Sequence, residues 1–300
     1  MPSTIGLREQ TAEASGDGLG LEAGTCISRD AEGNLTLPAA LLAGLGLAPA
    51  DEIILERIGH RLVLASDTLR RVYVEATSLC NLSCVSCIRN AWTEPMGHMP
   101  MGRYRQLLAG LWAAQPQELT IAFGGFGEPL THPQFLEMVR LARAQELRVE
   151  LITNGTLMEP AVARALVELG VAQVVVSIDG PDQESYASIR DTALAPVLAH
   201  IAALRDARRR ARSHMKLGLA FVAMRRNIQA VPELLRLAAE LQVDFITISN
   251  LIPHTPEMAA EALWGKAAWA ANFPDGSWGP QIRLGRMDMD DLTASALRPL

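Results

Sequence analysis

From residue 72 to residue 249, short apolar runs rich in β-branched residues alternate with longer amphipathic ones, and nothing else in the chain constrains its fold as strongly. Val72–Ala76, Leu119–Phe123, Val149–Thr153, Val174–Ile178, Leu217–Val222 and Phe245–Ser249 predict strands. Between them, Tyr104–Ala113, Pro133–Gln145, Pro160–Leu169, Leu194–Arg212 and Val231–Leu241 predict helices. A helix after each strand carries the chain back across the sheet, so successive strands run parallel and the class is α/β. Six strands with five helices fit a partial (β/α)6 barrel, although a doubly wound sheet has the same pattern. In both architectures the chemistry belongs at the carboxyl ends of the strands.

The residues before this region read differently. Residues 1–21 are polar and aperiodic, which predicts a flexible tail. Residues 22–67 form short β runs, Cys26–Ser28 and Asn34–Leu37, a short helix from Pro38 to Leu45, and a hairpin of 51–57 with 61–64 across Gly59-His60. Cys26, standing alone in a β run, reads as a small buried apolar residue. The remaining limits are 70–255 for the barrel and 256–300 for a C-terminal extension.

Hydrophobic residues make up 49% of the 300, enough to bury a sizeable core, and the net charge of −6 argues against a surface built to track nucleic acid phosphates. The apolar stretch Leu37–Ala50 is interrupted by Pro38, Gly44, Gly46 and Pro49 and is shorter than the roughly 20 residues of a membrane span. The start of the chain lacks a basic segment followed by an apolar run, so the expected compartment is the cytoplasm.

Three of the four cysteines, Cys80, Cys84 and Cys87, fall within eight residues just past the first predicted strand. In a cytoplasmic chain such crowding points to metal or redox chemistry instead of disulfides. Structural zinc takes four protein ligands, and the nearest histidine downstream, His98, is eleven residues beyond Cys87. Three thiolates suit a [4Fe–4S] cluster with one iron left open, and zinc is the competing assignment. A second motif, Phe123-Gly-Gly-Phe-Gly-Glu-Pro129, follows the second strand. Glycine permits close backbone approach to a ligand and Glu128 can accept hydrogen bonds from an ammonium group, although a tight βα turn would use the same residues. Thr153-Asn154-Gly155 and Ser177-Ile178-Asp179-Gly180 end the third and fourth strands with short polar side chains, where Asx-Gly turns are the plain alternative. Arg205, Arg209, Arg212 and Lys216 would form a basic, solvated stripe if the helix from Leu194 ran that far.

At Cys80-x3-Cys84-x2-Cys87 the chain resembles the radical S-adenosylmethionine (SAM) superfamily. The resemblance implies that the three cysteines hold a [4Fe–4S] cluster whose open iron is chelated by SAM, and that reductive cleavage of SAM yields a 5′-deoxyadenosyl radical. It further implies that Gly125, Gly127 and Glu128 match the glycine-rich segment at the SAM amino group. Asn154 and Ser177, with Thr153 and Asp179 beside them, match positions that contact the methionyl group and ribose. Ser86 departs from the family, which commonly has an aromatic residue before the third cysteine.

Cys87-Ile-Arg-Asn-Ala-Trp92, Glu94-Pro-Met-Gly97, the Gly-Phe-Gly-Glu-Pro variant and Ser249-Asn-Leu-Ile-Pro-His-Thr-Pro-Glu-Met258 resemble the maturases associated with tungsten-dependent aldehyde oxidoreductases. A tungsten or molybdenum oxidoreductase, or its cofactor, is the partner this implies, with a low-potential electron donor. No cysteine follows Cys87 in these 300 residues where such maturases usually continue into a cysteine-rich auxiliary-cluster region, which implies either a truncated version or one that works with a single cluster. Gly33-Asn-Leu-Thr-Leu-Pro38, Leu45-Gly-Leu47, Ala50-Asp51 and Arg61-Leu-Val-Leu64 are similar to the swapped-hairpin AbrB-like fold, which implies a homodimer. Asn34, Ala39 and Ala40 stand where DNA-binding relatives carry basic residues, so docking or dimerisation is favoured over DNA reading. Radical modification of a peptide and redox sensing by a DNA-binding regulator are the rival functions.

Overall fold

The computed structural model describes residues 28–29, 35–36, 53–58, 61–66, 69–113, 119–264 and 291–297. The chain divides between Thr68 and Leu69 into two units. In the first, β1 (Ser28–Arg29) pairs antiparallel with β2 (Leu35–Thr36), and β3 (Ile53–Ile58) pairs antiparallel with β4 (Arg61–Ser66). The tail over 1–21, Cys26 and the helix expected over 38–45 lie outside the described residues.

The second unit is a parallel six-stranded sheet of β5 (Arg71–Val74), β6 (Thr120–Phe123), β7 (Arg148–Thr153), β8 (Gln173–Ser177), β9 (Lys216–Ala223) and β10 (Phe245–Asn250). The strands lie side by side in chain order, from β5 to β10. A doubly wound sheet reverses its strand order at a switch point, and this one never does, which decides for the barrel type. Among the described residues β5 pairs only with β6 and β10 only with β9, so the sheet is open between its first and last strands. Central strands read as continuous apolar runs because both faces are covered: Ile121, Phe123, Val174 and Val176 are fully buried.

Between β5 and β9 the helices are α1 (Met101–Ala113), α2 (Phe135–Ala144), α3 (Pro160–Glu168), α4 (Gln183–Arg190) and α5 (Leu194–Arg210); α6 (Val231–Leu241) precedes β10. After β10 come α7 (Pro256–Glu261) and α8 (Asp291–Leu297). In α6 the buried residues Val231, Leu234, Ala238 and Leu241 recur at helical spacing and form the inward stripe. Gln229 donates to the Leu292 carbonyl at 2.8 Å and to Ser295 Oγ at 2.9 Å, which ties α8 to the turn before α6.

Three differences from the sequence reading have physical causes. The fifth helix stops at Arg210, Arg212 takes a left-handed conformation (φ 49°) and Lys216 opens β9, so the four basic residues do not share one helical stripe. The helix expected from Pro133 begins instead at Phe135, after a 3-10 turn over Pro129–Thr131. Helix α4 was not expected, since only Tyr186 and Ile189 supply apolar burial in its eight residues. It is started by the Asp182 carboxylate, which accepts from the Ser185 amide at 2.9 Å. Among the described residues no helix is long and apolar enough to cross a membrane.

Candidate active site

The chain leaves β5 at Val74 and makes a long excursion before α1, clamped at its base by an antiparallel bridge between Thr77 and His98. There the Ser78 amide donates to the Gly97 carbonyl at 3.0 Å, and the Gly97 amide donates to Ser78 Oγ at 2.9 Å. Within the excursion the Cys87 amide donates to the Cys84 carbonyl, Asn90 Nδ2 to the same carbonyl and Arg89 Nη1 to the Leu82 carbonyl. The Val85 amide donates to the Ile189 carbonyl of α4 at 2.9 Å. The loop that carries the three cysteines is thus held by its own backbone and by a helix that arrives a hundred residues later.

The glycine segment after β6 packs directly on this loop. A Cβ at Gly127 would stand 1.9 Å from the Thr77 carbonyl oxygen, and the Glu128 amide donates to the Leu79 carbonyl at 2.9 Å. Glycine is required at 127 because of the protein's own backbone. Glu128 is buried, and its oxygens accept from Thr153 Oγ1 at 2.6 Å, the Asn154 amide at 2.6 Å and the Leu130 amide at 3.1 Å. Burial pushes this carboxyl above its usual range, and the three donors offset the rise only in part. A carboxylate has about four lone-pair sites, so one remains for a further donor.

Asn154 faces the cysteine loop. Its Nδ2 donates to Asn81 Oδ1 at 3.1 Å and lies 3.8 Å from Cys80 Sγ, which also accepts from the Leu82 amide at 3.4 Å. Burial pushes the Cys84 thiol up, the Arg190 guanidinium opposes this, and Asp179, Cys80 and Cys87 add to the rise.

Asp179 departs from the expected ligand role. It is 1% exposed, its Oδ2 pairs with Arg190 Nη2 at 2.7 Å and its Oδ1 accepts from the Val222 amide at 2.9 Å. It fastens α4 and β9 to the end of β8 and does not line the cavity. Arg190 does line it. Burial alone would lower the Arg190 pKa, but Asp179 and Cys84 outweigh that and keep it cationic.

The elements converge on one cavity of about 370 Å³ at the carboxyl ends of the strands, lined by Cys80, Cys84, Cys87, Glu128, Asn154 and Ser177. Gly125, Gly127 and Thr153 also line it. Phe126, Ile152 and Ile252 form an apolar rim, each more than 40% exposed, and Phe126 lies against Trp92 with ring centroids 5.4 Å apart. His254 completes the wall, its pKa lowered by burial. The three thiols are free, and among the described residues no three His, Cys, Asp or Glu groups converge closely enough to hold a single ion. Three separate thiols on one cavity that, among the described residues, do not gather around a single ion fit an iron–sulfur cluster.

The family model of the radical SAM superfamily matches residues 74–257, which run from the end of β5 into α7. The chain belongs to the radical SAM superfamily. Among curated radical SAM relatives, the tungsten-containing aldehyde ferredoxin oxidoreductase cofactor-modifying protein of Pyrococcus furiosus is 31% identical over 65% of this chain and 55% of its own length. The AdoMet-dependent heme synthase of Methanosarcina barkeri is 31% identical over 64% of this chain and 53% of its own. The chain therefore spans about half the length of these relatives. Among solved structures, native anSMEcpe with bound AdoMet superposes with a TM-score of 0.53 at 18% identity, covering 70% of this chain and 62% of that one. Streptococcus suis SuiB bound to S-adenosylmethionine gives 0.55 at 14% identity, covering 64% and 43%. At these identities the likeness concerns the radical SAM fold alone.

Glu75 and Arg190 both escaped the sequence reading. Glu75 follows β5 directly, and only its place five residues before Cys80 could have drawn attention to it. Arg190 lies on the helix that was not expected.

Proposed function

We propose that this chain is a radical SAM enzyme that holds a [4Fe–4S] cluster on Cys80, Cys84 and Cys87 and cleaves SAM reductively. The observation that carries the reading is the convergence of three free thiols and a buried carboxylate, Glu128, on one cavity at the strand ends. A cluster bound there would supply the electron that splits the SAM sulfonium and releases a carbon-centred radical.

The chain's own residues do the rest. Glu128, held by neutral donors from β7 and from its own turn, offers its remaining lone pair to the SAM ammonium. Asn154 fixes Cys80 against β7. Ser177, at the end of β8, places a hydroxyl on the cavity wall for the sugar or methionyl end of SAM. The glycine positions Gly125 and Gly127 bring backbone to the same wall. Phe126, Ile152 and Ile252 narrow the mouth and exclude water once substrate covers it.

The substrate we propose is a tungsten or molybdenum aldehyde oxidoreductase or its cofactor, supported by the likeness to the Pyrococcus furiosus protein and by the Cys87–Trp92 and Ser249–Met258 strings. Residues 22–67 serve as an AbrB-like module that dimerises or docks that partner, and a low-potential donor reduces the cluster. The test is anaerobic reconstitution. The protein should hold about four irons per chain and form 5′-deoxyadenosine from SAM when reduced. Stoichiometric zinc in protein purified without oxygen would refute the reading.

A further inference from the structure

Glu75 is the first residue beyond β5, and its carboxylate is spent on the glycine segment. Oε1 accepts from the Phe126 amide at 2.6 Å and from the Gly127 amide at 3.2 Å. Gly125 makes this approach possible: its φ is +119°, and a Cβ there would stand 2.6 Å from the same oxygen. Two consecutive backbone N–H groups turned on one anion form a nest, here filled by a side chain of the protein itself. Among the described residues no cation is paired with Glu75 by an ion pair, so these amides are its counterpart.

The planar trans peptide turns each carbonyl opposite to its own N–H. With the N–H groups of Phe126 and Gly127 directed at Glu75, the Gly125 and Phe126 carbonyls point away from it. Gly125, Phe126 and Gly127 line the cavity, and Glu75 does not. We propose that Glu75 is a positioning residue: by binding the outer amides of this segment it turns two carbonyl oxygens toward the cavity, where they join Glu128 around the SAM ammonium. Its charge also polarises both peptide groups and makes those carbonyls better acceptors. This rests on reading the cavity as the SAM site.

The test compares two ligands on the full-length, anaerobically reconstituted protein. SAM carries the ammonium group, and 5′-methylthioadenosine lacks the whole amino-acid end. Glu75→Ala should raise the Kd for SAM about tenfold, a hydrogen-bond-sized effect, and leave iron content and methylthioadenosine binding unchanged. Glu75→Gln keeps one acceptor oxygen without the charge and should fall between wild type and Ala. If Glu75→Ala does not fold, the Gln variant decides, because a loss confined to SAM is still expected of it. Equal weakening of both ligands would show a general collapse of the loop and overturn the proposal, as would unchanged SAM affinity. Wild-type protein that holds iron yet binds neither ligand would overturn the reading of the cavity itself.

Discussion

Two acids at the amino ends of the strands and two at the carboxyl ends are held in different ways. At the amino ends of the strands, Glu150 bonds both Arg71 at 2.6 Å and Arg148 at 3.1 Å, and Asp244 pairs with Arg208 while accepting from the Leu217 amide at 2.7 Å. Both of these acids have a guanidinium partner. At the carboxyl ends, Glu75 and Glu128 are held by backbone amides and a threonine hydroxyl, while Asp179 takes Arg190 and Glu261 takes Arg226. Neutral donors steady a carboxylate without cancelling its charge, so Glu75 and Glu128 keep a negative charge that Glu150 and Asp244 share with their arginines. The difference separates a working pair from a stapled one within the same sheet.

The largest effect should come from the cysteine loop. Cys84→Ala should abolish both the iron content of reconstituted protein and 5′-deoxyadenosine formation, whereas no substitution of Glu150 or Asp244 should do either. Retained SAM cleavage by this variant would break the comparison at its strongest point.

Glu128→Ala should keep the iron and weaken SAM binding by roughly 1.5–3 kcal/mol, the range for hydrogen bonds to charged groups, as read by titration calorimetry. The acid's raised pKa adds a pH signature. As pH falls through that value the carboxyl takes up a proton and its hold on a cation goes. Wild-type SAM affinity should therefore decline at a higher pH than an ordinary carboxylate would give, and the alanine variant should lack that step.

Asp244→Asn should lower the melting temperature by a few degrees at most and leave SAM affinity unchanged, because a partly solvated ion pair contributes about 1 kcal/mol or less. Burial alone would raise this acid, but the Leu217 amide and Arg208 outweigh it and hold its carboxyl below the usual range. A depressed folded pKa lends stability at neutral pH that is lost as pH falls through it. The stability gap between wild type and variant should accordingly close in acid.

The smallest effect on cleavage is expected from removing residues 1–68, since the cysteines and Glu128 lie in the other unit. SAM cleavage should stay largely intact, and activation of the oxidoreductase proposed as partner should be lost because productive turnover needs substrate held near the radical. Sub-micromolar, sequence-selective duplex binding by the isolated segment at physiological salt would replace docking with DNA reading.

Much of this site was legible in one dimension because its chemistry is local in sequence. Three free cysteines sit in a single loop, and the six strands announce themselves as apolar runs that need both faces covered. Each strand was located to within about two residues, and the turns after them marked the carboxyl ends. Strand order was beyond sequence, since alternation is common to barrels and doubly wound sheets and only the pairing of β5 through β10 distinguishes them. The fate of each polar side chain was likewise decided in three dimensions. Asp179 and Glu128 are both acids just past a strand end, yet one is neutralised by Arg190 from an unforeseen helix and the other keeps only neutral donors. Gly127 is fixed by a carbonyl fifty residues earlier, and Glu75 by amides fifty residues later. Hydrogen bonds of such separation leave no period in the sequence, because what they require is a distance that exists only after the sheet has formed.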